Sequence, residues 1–160
     1  MIGNERHFTS VLSRRPHAIS LVKGSEDYAD VAGIIKFYQT NLGVLVAAEV
    51  TGLPYLSGDC EHFVFGFHIH EGTDCTGNKE DVFAGSMMHY NPWKCPHPRH
   101  AGDLPPLLGN RGYAFSVFLT DRFVVEEIVG RTVIIHASPD DFKTQPSGNS
   151  GEKIACGVIQ

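Results

Sequence analysis

No stretch of this 160-residue chain is apolar for long enough to cross a membrane as a helix. Basic residues are in the minority, 13 Lys and Arg against 18 Asp and Glu, and the net charge is -5. A nucleic-acid partner calls for a basic footprint, and its absence argues against one. An anionic substrate needs a local positive field here, because the global one is unhelpful. The chain has no internal repeat and no convincing amphipathic helix; at most a turn of helix is expected over 82–88 or 124–129. Its first residues, MIGNERHFTSVLSRRPHA, lack a continuous apolar core and a small-residue cleavage site, so they do not read as a signal peptide. A cytoplasmic location is expected, unless a leader has been removed.

What is present is turn-rich and apolar in short pieces. Apolar residues make up 42% and charged residues 19%, with Gly 17 and Pro 9. This is the composition of one globular domain with frequent turns. Residues 1–16 are polar and basic without period and read as a loose lead-in; 17–160 read as a single domain. Strands are expected over 17–22, 31–39, 41–50, 61–70, 113–119, 131–136 and 153–159, with a short piece within 104–108. Two long polar loops, 71–106 and 137–152, interrupt them; loops of that length inside a compact domain are usually functional. About eight short strands with two such loops describe an all-β fold, a β-sandwich or a flattened Greek-key barrel.

Ligand-type residues crowd the end of the strand over 61–70 and the loop after it: His68-x-His70, then His89, then His97-x-x-His100-x-x-Asp103, with His136 ending an apolar run downstream. Residues i and i+2 of a strand share a face, so His68 and His70 project together while Phe67 and Ile69 turn toward the core. Two imidazoles and a carboxylate at His97, His100 and Asp103 complete a tetrahedral zinc set with one more nitrogen. Each cluster alone could be a group of solvated surface histidines, but their coincidence points to a two-metal redox site. The cysteines Cys60, Cys75, Cys95 and Cys156 leave several pairings open, and a zinc site using Cys95 with Cys60 or Cys75 competes with disulfides. His7, His17 and His62 fall outside the pattern and read as surface residues; Trp93 is expected to pack within the loop.

GFHIHE, HYNP, HAGDL, VIIHASPDD and GNSGEKIACGVI occur in that order, and together they resemble the copper/zinc superoxide dismutase family. The resemblance runs from about Val31 to the C-terminus. It implies an eight-stranded Greek-key β-barrel, an immunoglobulin-like sandwich with two long functional loops. Further implications are one copper and one zinc ion per chain and superoxide as a small anionic substrate; family members are dimers or monomers, and a homodimer is expected here. His68, His70, His89 and His136 match the copper ligands; His89, His97, His100 and Asp103 match the zinc ligands, with His89 shared between the ions. Asp140 matches an aspartate that hydrogen-bonds a ligand of each metal, here His68 and His97. Cys75 and Cys156 match a disulfide, leaving Cys60 and Cys95 either as a second bridge or as free thiols. Ser147 stands where a threonine lines the substrate channel.

This chain departs from the family at two places. Lys153 occupies the position of an arginine at the channel mouth; an ammonium keeps the charge but lacks the planar fork of a guanidinium, so a reduced rate is expected. Met87 and Met88 precede His89 where small residues, often glycine, are preferred; they would displace His89, narrow the loop, or simply fill a core gap. The function implied is superoxide dismutation with His89 and Lys153 as catalytic residues. The alternatives are a copper/zinc-binding protein without turnover, such as a metal carrier or inactive relative, and a zinc hydrolase, which would need an open zinc position.

Overall fold

A computed structural model describes residues 8–60 and 63–160. Its strands are β1 (Ala18–Gly24), β2 (Ala32–Thr40), β3 (Gly43–Thr51), β4 (Val64–Phe65), β5 (Phe67–His70), β6 (Leu107–Leu108), β7 (Ala114–Thr120), β8 (Thr132–His136) and β9 (Lys153–Val158). Seven form one antiparallel sheet in the order β5-β8-β9-β1-β2-β3-β7, and β4 pairs with β6. β4 runs into β5, and β6 lies against β7, so the small ribbon spans the two edges of the large sheet. The sheet curls on itself around one core, in an order consistent with Greek-key connectivity.

The strand expected over 61–70 is split, which raises the count from eight to nine; its residues 61 and 62 lie outside the described residues. The break falls at Gly66. Its N–H donates to Ser138 O at 2.8 Å, and its own carbonyl accepts from His136 N at 2.8 Å. A Cβ there would sit 2.9 Å from Ser150 Cβ, so the second long loop packs against bare backbone. The expected turns of helix are present as a short 3-10 turn, Ala84–Ser86, and as α1 (Val125–Ile128).

Alternation decides what each strand contributes. On β5, Phe67 and Ile69 enter the core with Phe65, Ile135 and Ile154, while His68 and His70 face the opposite way. The lead-in is only partly loose. Residues 1–7, with His7, lie outside the described residues, but Phe8, Val11 and Leu12 pack on Tyr38, Leu45 and Ala47, on the outer face of β2 and β3. An apolar outer patch on the sheet attracts the few apolar side chains of an otherwise polar segment.

Candidate metal centre

The free edge of β5 organises the centre. One edge pairs with β8; along the other, the first long loop lies as an irregular partner, with bridges at His68–Asp103 and His70–His89. Ile69 N donates to Gly102 O at 2.9 Å, and Tyr90 N donates to Ile69 O at 2.8 Å. This backbone ladder, with no side chain involved, carries His89, His100 and Asp103 against His68 and His70. His136 arrives at the end of β8 and Asp140 on the loop that follows.

Two clusters of four donors result. His68, His70, His89 and His136 form one, and His89, His97, His100 and Asp103 the other, each with its ligand atoms within 4.8 Å of one another. All seven residues are buried. A tetrahedral ion with bonds of about 2.0–2.1 Å needs donors about 3.4 Å apart. His136 Nε2 lies 3.4 Å from His70 Nε2, and His100 Nδ1 lies 3.5 Å from His89 Nδ1 and 3.4 Å from Asp103 Oδ1. His68 Nδ1, His89 Nε2 and His97 Nδ1 are buried without a hydrogen-bond partner. His97 Nδ1 comes within 3.1 Å of Asp103 Oδ2, but not in hydrogen-bonding alignment. Buried polar atoms are rarely left unpaired, and lone pairs converging on one point suit a cation. The donor sets therefore fit two metal ions.

The ring nitrogens facing away are held. His68 Nε2 meets Asp140 Oδ2 at 2.8 Å, and His97 Nε2 meets Asp140 Oδ1 at 2.9 Å. His70 Nδ1 is 2.9 Å from Met87 O, and His136 Nδ1 is 3.2 Å from Gly151 O. An acceptor on one nitrogen places the proton there and leaves the other as a lone-pair donor. Burial favours the neutral form of four of the site's imidazoles. It lowers His70 well below its ordinary value and His136 to about 3, and lowers His68 and His100 as well. Burial works the other way on Asp103 and Asp140. In Asp103 the hydrogen bond from His89 leads the effects that outweigh it; in Asp140 the hydrogen bonds from His68, Phe142 N–H and His97 do. Both carboxylates are held ionised below the usual range.

Most of the expected residues converge; some details differ. Cys75 and Cys156 are bridged, Cα–Cα 5.8 Å, tying the loop to β9. Cys60 is exposed and Cys95 half-buried, and both are free thiols, so they form no second disulfide; among the described residues no cysteine joins a cluster of metal donors. His17 is at the surface as expected; His62 lies outside the described residues. Trp93 does not pack in the loop: it is 72% exposed. Met87 and Met88 are exposed rather than core-filling. Met87 takes φ 61 and ψ -142, a backbone conformation that suits glycine, and its carbonyl meets His70 Nδ1.

Lys153 is not a bare ammonium. Nζ donates to Asp81 Oδ2 at 2.6 Å, to Phe83 O at 3.2 Å and to Met87 O at 3.5 Å. Ser147 is half-buried, and its carbonyl accepts from Ser150 Oγ at 3.4 Å. Sequence reasoning missed Asp81, and two more residues that shape the loop. Arg122 Nη1 donates to the carbonyls of Pro98, His100 and Asp103 at 3.1–3.2 Å. Gln145 clamps His97 from both sides, accepting from its N–H at 3.0 Å and donating to its carbonyl at 2.7 Å. These partners lie far away in sequence, and no local spacing signals them.

Residues 31–159 match the family described as copper/zinc superoxide dismutase. A Cu-Zn superoxide dismutase of Aquifex aeolicus is 34% identical over 146 residues, covering 82% of this chain and 80% of that protein. The Cu-Zn superoxide dismutase of Saccharomyces cerevisiae is 32% identical over 159 residues, covering 89% and 96%. Among solved structures, the Cu/Zn superoxide dismutase from Brucella abortus shares the fold with a TM-score of 0.74 at 22% identity, over 90% of this chain and 100% of that one.

Proposed function

The chain belongs to the copper/zinc superoxide dismutase family, and from that premise we propose which of its residues carry the conversion of superoxide into dioxygen and hydrogen peroxide. One observation supports the division of labour best: two sets of four buried donors share a single imidazole, His89. His68 through Nδ1, and His70, His89 and His136 through Nε2, would hold copper; His89, His97 and His100 through Nδ1, with Asp103, would hold zinc. One ion of each per chain is expected, in a homodimer. When bound, copper supplies a one-electron couple that lets two like-charged radicals react one at a time, and zinc supplies fixed positive charge beside His89.

The remaining work falls to side chains. His89 Nε2 is buried and unpaired while Asp103 lies 2.7 Å from Nδ1, so Nε2, whenever it is not engaged by copper, would take a proton from solvent and give it to the peroxide being formed. The second proton also comes from solvent. Asp140 holds His68 and His97 with one carboxylate, which couples the orientation of the two donor sets. His70 and His136 are almost fully buried, so only a small substrate reaches them. Lys153 is the cation placed to draw it in, and Ser147 borders the approach.

The test is metal analysis with superoxide decay measured on copper- and zinc-reconstituted protein. One copper and one zinc per chain with fast decay is expected, and His89→Ala should abolish it. Zinc alone, with no decay after copper loading, would leave a metal-binding protein without turnover.

A further inference from the structure

We propose that Asp81 is a built-in counterion that competes with the anionic substrate for Lys153, and so sets the rate of anion capture. The inference rests on the reading of Lys153 given above and adds a residue to it.

The ammonium has three hydrogens and three acceptors: Asp81 Oδ2, Phe83 O and Met87 O. Its side chain is only 14% exposed, whereas that of Asp81 is 41% exposed. An unpaired charge attracts an anion with an energy that falls as the inverse of distance. A charge with a carboxylate 2.6 Å away attracts as a dipole, which fades faster and is screened sooner. The pair therefore shortens the reach of Lys153, the cation assigned above to attract superoxide, in a chain whose net charge is -5. An arriving anion must displace the carboxylate or share the ammonium with it.

The surroundings single out Asp81. Glu152, next to Lys153 in sequence, is engaged elsewhere: Tyr28 OH donates to its Oε1 at 2.5 Å. Asp81 also has a structural duty, since Oδ1 accepts from Phe83 N at 3.0 Å. The two duties use different oxygens, so Asp81→Asn can keep Oδ1 in place while removing the charge that opposes Lys153.

Superoxide decay should be followed at several ionic strengths on metal-loaded wild type, Asp81→Asn, Lys153→Met and the double variant. Asp81→Asn is expected to raise kcat/KM about three- to ten-fold at low salt, as steering effects do, and to steepen its fall with added salt. In the Lys153→Met background the same change should do little. In parallel, inorganic phosphate is titrated into zinc-loaded, copper-free protein and followed by NMR of the lysine side chains. Phosphate should bind Asp81→Asn several-fold more tightly at Lys153. An equal gain with and without Lys153 would overturn the proposal, because it would reflect net charge alone. So would an Asp81→Asn variant of wild-type melting temperature with neither a faster rate nor tighter phosphate binding. If no variant dismutates superoxide while phosphate still tightens, the functional reading fails and the counterion stands.

Discussion

Gly148 is the residue on which the Asp140 bridge depends. It has φ +72, and a Cβ there would lie 2.0 Å from Asp140 Oδ1 and 2.8 Å from His97 Nε2. Gly148→Ala must therefore push the carboxylate off its histidines. Losing such an orienting partner typically costs 10–100-fold in metal affinity. We expect a loss of about that size for both ions, read by chelator competition. Gly130→Ala is the control: its φ is +85 with nothing within 4 Å, so it carries backbone strain without the clash. Met87 presents the opposite case. A side chain held in a region natural only to glycine costs about 1–3 kcal/mol, while glycine loses about 0.5–1 kcal/mol in unfolded-chain entropy. Met87→Gly should therefore stabilise the protein by about 1 kcal/mol, seen as a higher denaturation midpoint.

At the scale of elements, the centre is a strand edge with a loop laid along it. β5 supplies a rigid half, since it is hydrogen-bonded to β8 and packed into the core. The loop half anchors Tyr90, Ala101 and Leu104 in the core and is further held by cross-links. Cys75–Cys156 closes a separation of 81 residues, for which chain entropy predicts about 4.5 kcal/mol. Cys156→Ser should cost about 2–5 kcal/mol, measured by denaturant unfolding with and without reductant. Arg122 is the second cross-link, holding three loop carbonyls with one nitrogen. Arg122→Ala leaves every donor of the zinc set in place, yet it should speed zinc release on the order of 10-fold, because the loop that presents those donors is no longer fixed. Stopped-flow transfer of zinc to a chelator reads this directly.

For the whole molecule, a core of neutral imidazoles makes stability depend on pH. His70, His136, His68 and His100 all bind protons less readily when folded than in the unfolded chain. Below about pH 6.5 the unfolded state takes up protons that the folded state refuses. The stability of the metal-free protein is then fully present above that value and is lost as pH falls toward the folded value, about 3 for His136. Each fully buried imidazole contributes a slope of about 1.4 kcal/mol per pH unit in that window. Denaturant midpoints of the metal-free protein should fall steadily from pH 7 to pH 4. A flat profile would mean that these rings are not held neutral.

The sequence by itself determined the strands, because apolar alternation and turn residues are local signals, and it determined the ligand residue types, because HxH and HxxHxxD are local spacings. Ordered motifs carried the family and, with it, the donor sets and the Cys75–Cys156 pairing. The break at Gly66 and the packing of Phe8, Val11 and Leu12 were not legible, since each answers to a surface formed by distant residues. The same holds for the site. Only the tertiary structure brought Asp81 to Lys153 across 72 residues, Arg122 onto three loop carbonyls and Gln145 onto His97. Such contacts are long-range and one of a kind, so no period in the chain announces them. Alternation along β5 turns His68 and His70 to one face, but only the chain laid along its free edge brings His89 to a position between both donor sets.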